Sequence, residues 1–299
     1  MSLPIDLDLE VGAPVRCGPM SLFPLVKPGP TEAVGYSCGP LAAGDLLVDE
    51  QPGGVVAELV THNQGDQPVL LIEGETLLGA KQDRVLNVSV LLAADQATTV
   101  PVSCVEAGRW GSVQPSRRSA SHAPTSLRAR KTRSVNESAR TRGTRRSDQG
   151  GVWEEVATYN LVYAAASPTS ALRDVQAAAA QRVESVLPAT GPAPGQVGVI
   201  VAVGGRPTVL ELFDDPATFE AYWHSLVNGY ALDAARSGRT DDTTPERAEA
   251  LLTTARNTTF EVRPGVSLGE EVQAETEALV ASGITWEGRL LHLACFATG

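Results

Sequence analysis

The first 110 residues carry short runs rich in Val and Leu, separated by Gly, Pro, Asn or Asp. This pattern predicts strands over Gly44–Glu50, Gly54–His62, Pro68–Ile72, Arg84–Leu92 and Thr98–Val105. Asn63-Gln64-Gly65-Asp66 supplies a hairpin loop between two of them. Helical patterns appear later, over Val152–Ala166 and Ser170–Leu187, the second through an alanine-rich stretch with Arg and Glu on its polar side. Beyond the loop Pro188–Pro194, the segments Gln196–Val203 and Pro207–Phe213 flank Gly204-Gly205 as a hairpin. Pro216–Ser237 and Pro245–Arg256 read as helices. In the first, Phe219, Tyr222, Trp223, Leu226 and Tyr230 recur at helical spacing, as a core stripe does. Strands return at Thr259–Arg263 and Thr285–Phe296.

Strands first, helices in the middle and a strand last predict an α+β fold. Its β-rich, mostly antiparallel first half is covered by a helical second half, as one domain over residues 1–299. The 299 residues are 42% hydrophobic and 20% charged, enough for a sizeable core. No run approaches the ~18 apolar residues of a membrane helix, so no membrane partner is expected. The acidic start, MSLPIDLDLEVG, does not read as a signal peptide. Cys17, Cys38, Cys104 and Cys295 lack CxxC spacing, and reduced thiols in the cytoplasm are the expectation.

The net charge of −11 is unevenly spread. Ten basic residues lie between Gln114 and Asp148, opposed only by Glu137 and Asp148, a local charge of about +8. The rest of the chain carries about −19. This stretch has no aromatic residue for base stacking, so nucleic acid is not the expected partner. With few apolar residues to bury, it reads as a flexible basic insert at about 113–149.

Two polar segments stand out. In Ile72–Arg84, a glycine-punctuated connection places Glu75 at one strand end and Lys81, Gln82 and Arg84 at the start of the next. In Pro101–Trp110, Cys104 and Glu106 share a face, and Arg109-Trp110 follow a glycine turn. Converging strand ends would assemble an anion site. Arg84 and Arg109 grip planar anions, Lys81 adds a point charge and Trp110 gives a stacking wall. Glu75, first, or Glu106 serves as general base. The competing reading is a salt-bridge network without chemistry. Cys104 and Arg109 have the spacing of a rhodanese loop, but Gly111-Ser112-Val113-Gln114-Pro115 cannot start the helix that activates such a thiol, which favours a buried structural cysteine. No His, Cys or acidic spacing defines a metal site: His292 and Cys295 point to opposite faces of a strand, and His62, His122 and His224 stand apart. No glycine-rich dinucleotide or phosphate loop is present, and no cofactor can be named.

The motifs Gly74-Glu75-x-x-x-Gly79-x-Lys81-Gln82-x-Arg84 and Pro101-Val102-Ser103-Cys104-Val105-Glu106-x-Gly108-Arg109-Trp110 resemble the ADP-ribosylglycohydrolase (ARG) and rhodanese-phosphatase-superfamily-associated protein domain family. The resemblance continues in Ser126-Leu127-Arg128-x-x-Lys131, Asp148-Gln149-x-x-Val152-Trp153, Gly195–Val199, Leu212-Phe213, Tyr222-Trp223, Tyr230–Asp233 and His292-Leu293-x-x-Phe296. It implies a component of NAD and ADP-ribose pathways, binding a phosphorylated or ribosyl compound. Were it an enzyme, it would be a hydrolase or transferase. Glu75, Lys81, Gln82, Arg84, Cys104, Glu106, Arg109 and Trp110 are then the expected polar site, with Arg128, Lys131 and His292 as further candidates.

Overall fold

The computed structural model describes residues 2–3, 7–29, 35–42, 44–51, 53–110 and 114–298. The chain opens with β1 (Ser2–Leu3), β2 (Glu10–Val11), β3 (Val15–Cys17), β4 (Met20–Val26) and β5 (Ser37–Cys38). Then come β6 (Leu46–Glu50), β7 (Glu58–Asn63), β8 (Val69–Leu71), β9 (Thr76–Ala80), β10 (Arg84–Leu86), β11 (Val90–Leu92), β12 (Gln96–Cys104) and β13 (Gln114–Arg118). Three helices follow, α1 (Thr125–Arg142), α2 (Gln149–Val162) and α3 (Leu172–Glu184). The hairpin β14 (Gln196–Val203) and β15 (Arg206–Phe213) leads into α4 (Pro216–Ala234) and α5 (Pro245–Arg256). Four strands close the fold: β16 (Phe260–Pro264), β17 (Glu270–Glu275), β18 (Leu279–Trp286) and β19 (Arg289–Ala297).

The fold is α+β. One large sheet runs β1-β16-β17-β18-β19-β15-β14-β4-β2, with β3 also paired to β4. It joins the first strands of the chain to its last third, because β4 pairs with β14 and β1 with β16. A second sheet runs β13-β9-β10-β12-β7-β6, and a third β11-β8-β5, whose β5–β8 pair is parallel. Both faces of the large sheet are covered. Val199, Val201, Val209, Phe213 and Phe296 pack in the core shared with α2, α3 and α4. Their alternates Ile200, Leu210, Leu212 and Leu293 pack with Ala248, Leu251 and Leu252 of α5. Period-two alternation therefore sends apolar residues both ways, and the strands read as continuous apolar runs. Among the described residues, no helix is long and apolar enough to cross a membrane.

Three expectations need correction. The basic stretch is not a loop: residues 125–142 form α1 and residues 149–162 form α2, while Val113 lies outside the described residues. The reason is that α1 buries charge instead of apolar surface. Arg128 and Lys131 share its inner face with Leu127 and Val135, all at 1% exposure or less, and carboxylates from other elements neutralise them. The span Arg84–Leu92 is two strands in different sheets, β10 and β11. Thr285–Phe296 contains the β18–β19 turn, where Glu287 and Gly288 take positive φ.

Candidate functional site

The motif pair meets where β10 lies antiparallel to β12, with Arg84 opposite Cys104 and Val85 opposite Ser103. The chain between β9 and β10 turns through Gly79 and Ala80 at φ of 102° and 46°. Asp83 accepts from Gly79 N at 2.9 Å, closing the turn. Arg109 then clamps it, donating to the carbonyls of Ala80 (2.8 Å) and Gly79 (3.1 Å). Gln82, Arg84, Cys104, Glu106 and Arg109 thus converge, as expected from sequence.

Their chemistry differs from that of the expected anion site. Glu106 is fully buried. Its Oε1 accepts from Arg109 Nε (2.9 Å), Thr169 Oγ1 (3.0 Å) and Arg173 Nη2 (3.1 Å). Its Oε2 accepts from Asp83 N (3.0 Å) and Arg109 Nη2 (2.7 Å). Burial opposes its ionisation, yet the Arg109 hydrogen bond and the donors around it hold the carboxyl below the usual range. Cys104 is also fully buried. Its thiol donates to the Glu106 carbonyl at 3.1 Å, its backbone is held on both sides by the Gln149 amide, and burial pushes its pKa up. An activated thiolate needs the opposite environment.

Glu75 is held by a different set of partners: it immediately precedes β9, where its carbonyl accepts from Leu86 N at 3.0 Å, two positions along β10 from Arg84. It is 2% exposed, so the carboxylate expected as general base is closed off from solvent. Its Oε1 accepts from Ile72 N (2.8 Å) and Tyr222 OH (2.7 Å), and its Oε2 from Arg118 Nε (2.8 Å) and Nη2. Arg118 reaches it because β13 pairs with β9, placing Arg118 opposite Leu77. Gly74 serves this interior too: at φ 87°, an added Cβ would lie 2.6 Å from Arg128 Nε. The glycine makes room for a guanidinium.

That guanidinium is the centre of a third cluster. Arg128 donates to Glu73 Oε1 (Nε, 2.9 Å) and to both oxygens of Glu211 (2.9 and 2.7 Å). Lys131 donates to Glu73 Oε2 (3.0 Å) and to the carbonyls of Leu86 and Asn87 (2.9 Å each). Tyr230 donates to Glu211 Oε2 at 2.9 Å, and His292 Nε2 lies 2.8 Å from Glu211 Oε1. Because an ionised carboxylate only accepts, Nε2 carries the hydrogen. Ser89 Oγ, 2.9 Å from His292 Nδ1, accepts from Glu73 N. Glu73, Arg128, Lys131, Glu211 and His292 have no exposed surface. Two cations and two carboxylates balance, which is how so much charge stays buried. Arg128, Lys131 and His292 are thus interior braces joining α1 to β15, β19 and the Glu73 segment.

One group of the expected site reaches the surface. Trp110 is 47% exposed. Lys81 Nζ lies 5.0 Å from the centroid of its ring and Arg84 Cζ 5.8 Å. Gly54, at φ 73°, leaves room for this stack: a Cβ there would lie 2.5 Å from Lys81 Nζ. Arg84 itself is fully buried. Its Nε donates to the Val56 carbonyl at 3.0 Å, while Nη2 has no hydrogen-bond partner among the described residues. The nearest carboxylate oxygen, Glu50 Oε1, is 4.0 Å away and already accepts from Lys81 N. Burial lowers the Arg84 pKa.

Sequence reasoning overlooked Glu73, Asp83, Arg118, Tyr222 and Glu211. For Glu211 a signal existed: a lone acid inside the apolar run Val209–Phe213 must find a buried cation. Among the described residues, no group of three or more His, Cys, Asp or Glu could hold a metal ion.

Residues 8–296 match the model of the ARG and rhodanese-phosphatase-superfamily-associated protein domain. No curated protein and no solved structure matches the chain. The chain belongs to this domain family.

Proposed function

We propose that, as a member of this family, the protein binds a small anionic ligand without turning it over. The ligand class is the phosphorylated ribosyl compounds, ADP-ribose and its relatives, that the family's association suggests. The binding face is Lys81, Arg84 and Trp110. One observation carries the reading: a wholly buried guanidinium whose Nη2 has given up water and gained no hydrogen-bond partner among the described residues. A buried charged donor left unmade is costly, and such groups are kept where a ligand or an ordered water completes them. Lys81 supplies a second cation, and the exposed Trp110 ring a face for a base or sugar.

In this reading Gln82, Cys104, Glu106 and Arg109 hold the turn that presents Lys81 and Arg84, and Glu75 is a structural acceptor. A general base needs a lone pair facing the proton it takes, and the oxygens of Glu75 and Glu106 are already occupied by donors. The same saturation favours the second reading, in which the whole motif pair is only a structural network. Its four unpaired cysteines support a reducing compartment such as the cytoplasm.

Thermal shift against ADP-ribose, NAD, AMP and ribose 5-phosphate separates the two readings. Ligand at ~100 times its dissociation constant stabilises by ~2.7 kcal/mol. Arg84→Ala should remove most of that shift and Trp110→Ala part of it. A flat response of the parent protein across the panel leaves only the structural network.

A further inference from the structure

We infer that the cavity between α1, α4 and the β14–β15 hairpin is a second binding site, for a phosphorylated ligand of nucleotide size. It goes beyond the Lys81–Trp110 reading and shares no residue with it. The cavity has a volume of about 820 Å³, within the range that holds drug-sized ligands.

Charge is the first argument. The lining carries four guanidiniums, Arg130, Arg133, Arg206 and Arg236, against the single carboxylate of Asp233. Arg130, Arg133 and Arg236 are paired with Glu154, Glu155, Glu275 and Asp233, and all of these carboxylates but Asp233 lie outside the lining, so the concave surface itself presents the guanidiniums. The sequence accounts for the placement. On α1, residues 126, 129, 130 and 133 share a helical face, so Arg130 and Arg133 point to the cavity while Arg128 and Lys131 turn inward to Glu73 and Glu211. The basic stretch is thus divided by helical period into a structural set and an outward set that no interior carboxylate requires.

The second argument is the state of each arginine. Arg236 is pre-positioned. It donates to Ser126 Oγ at 2.8 Å, pairs with Asp233 Oδ1 at 2.9 Å and stacks on Tyr159 at 4.3 Å. Asp233 is fixed in turn, accepting from Ser126 N at 3.0 Å and from Tyr159 OH. Arg206, exposed at the hairpin tip, makes no ion pair with a described residue. Among the described residues, Arg130 pairs with Glu154 and Glu155 and Arg133 with Glu275, and Glu154 and Glu275 are themselves exposed. Such surface pairs contribute little and yield to a multiply charged phosphate. The third argument is polarity. Val203, Pro207, Val280 and Ala297 give the cavity an apolar wall, which inorganic phosphate alone does not fill and a nucleoside body does.

Isothermal titration of the full chain with ADP, AMP, pyrophosphate and adenosine tests this. The expected order is ADP tighter than AMP, both tighter than pyrophosphate, with no binding of adenosine and at least a tenfold loss between 50 and 500 mM salt. Arg133→Ala combined with Arg206→Ala removes two exposed cations without touching the core, and should weaken ADP at least tenfold. Arg142→Ala, which removes an exposed arginine of α1 outside the cavity lining, should leave it unchanged. The inference is overturned if ADP does not bind, if adenosine binds as well as AMP, or if the double variant binds ADP like the parent. It also fails if Arg84→Ala abolishes the only ADP site, an outcome that would leave the Lys81–Trp110 reading standing. A short single-stranded RNA that binds more tightly than ADP and depends on the same two arginines would replace the small ligand with a polyanion.

Discussion

Arg128 Nη2 lies 2.7 Å from Glu211 Oε1, and neither side chain has any exposed surface. The two residues are 83 positions apart, one on α1 and one on β15. Their contact makes the placement of a nearly apolar-free helix depend on charge neutralisation. Through Glu73 the same guanidinium also reaches the segment leading into β9. A single buried ion cluster thus connects the second sheet, α1 and the centre of the large sheet.

Removing Arg128 leaves Glu73 and Glu211 buried without their main counter-charge. Arg128→Met should destabilise the protein by about 3–5 kcal/mol, as breaking a buried pair does. Glu211→Gln should cost less in the Arg128→Met background than in the parent, a coupling that a double-mutant cycle reads. Because the cluster spans both halves of the chain, urea unfolding followed by fluorescence and by circular dichroism should give one coincident transition. Two separated transitions would show that the halves fold independently of the cluster.

Two buried acids give opposite pH responses. Burial pushes the Glu211 carboxyl up, but the Arg128 charge and the His292 hydrogen bond overcome it and hold it at about 2, against an ordinary 4.5. The folded pKa is depressed, so the stabilisation is present above about 4.5 and is lost as pH falls towards 2. Burial raises Asp214 from 3.8 to about 6, with Tyr36 and Arg289 offsetting only part. Here the folded pKa is raised, so the contribution is full below 3.8 and is lost as pH rises through about 6. Comparing the parent with Glu211→Gln should show a stability gap that shrinks below pH 4. Comparing it with Asp214→Asn should show the variant gaining on the parent between pH 4 and 7. An Asp214→Asn difference that is constant across pH would refute the second assignment.

Apolar runs and their breakers suffice to find β14, β15, α4 and α5. In α4 the signals coincide: Asp215 caps Ala217 N and Thr218 N at 2.8 and 3.2 Å, Pro216 takes the first turn, and Phe219, Tyr222, Leu226 and Tyr230 are buried. Helix α1 shows where pattern fails. Its buried residues are Leu127, Val135 and Ala139 together with Thr125, Arg128, Lys131, Thr132, Asn136 and Ser138, so a hydrophobicity scale counts most of that face as surface. Its partners Glu73 and Glu211 lie 55 and 83 residues away, and nothing local announces the pairing. The polar motifs show the converse. Types and spacing correctly bring Gln82, Arg84, Glu106 and Arg109 together. Whether a carboxylate faces water or five donors depends on Thr169 and Arg173, which only tertiary structure supplies.

Thiol chemistry gives a direct check on Cys104. It is fully buried, its thiol is bonded to a carbonyl, and burial raises its pKa. Cys38 and Cys295 are buried as well, whereas Cys17 is partly exposed. Native protein treated with iodoacetamide at pH 7.5 should therefore be labelled at Cys17 alone and at all four cysteines after unfolding, as read by peptide mass mapping. Rapid native labelling of Cys104 would mean an open, reactive thiol and would revive the nucleophile reading.

The roles assigned to Glu75 and Arg84 separate most cleanly when both are changed in parallel. Glu75 accepts from Ile72 N, Tyr222 OH and Arg118, all in the interior. Glu75→Gln keeps the shape but turns one acceptor oxygen into a donor facing a donor. It should cost about 2–3 kcal/mol of stability while leaving ligand affinity, measured well below the melting temperature, within about twofold. Arg84→Ala acts in the other direction. Its Nη2 makes no hydrogen bond to a described residue, so folding loses the Val56 and Asp83 carbonyl contacts, the Trp110 contact and the packing of a buried side chain, but no ion-pair network like that of Arg128. A ligand anion, by contrast, loses a charge-assisted hydrogen bond worth about 1.5–3 kcal/mol, roughly 10–150-fold in affinity. Trp110→Ala should fall between them, weakening binding through the lost stacking face with little change in stability, since about half of that residue is already exposed. If Glu75→Gln instead retains full stability and loses affinity or reveals a lost turnover, Glu75 faces a ligand and the structural assignment is wrong. If Arg84→Ala destabilises as strongly as Arg128→Met and no ligand shifts the parent, Arg84 belongs to the interior network and the binding face is lost.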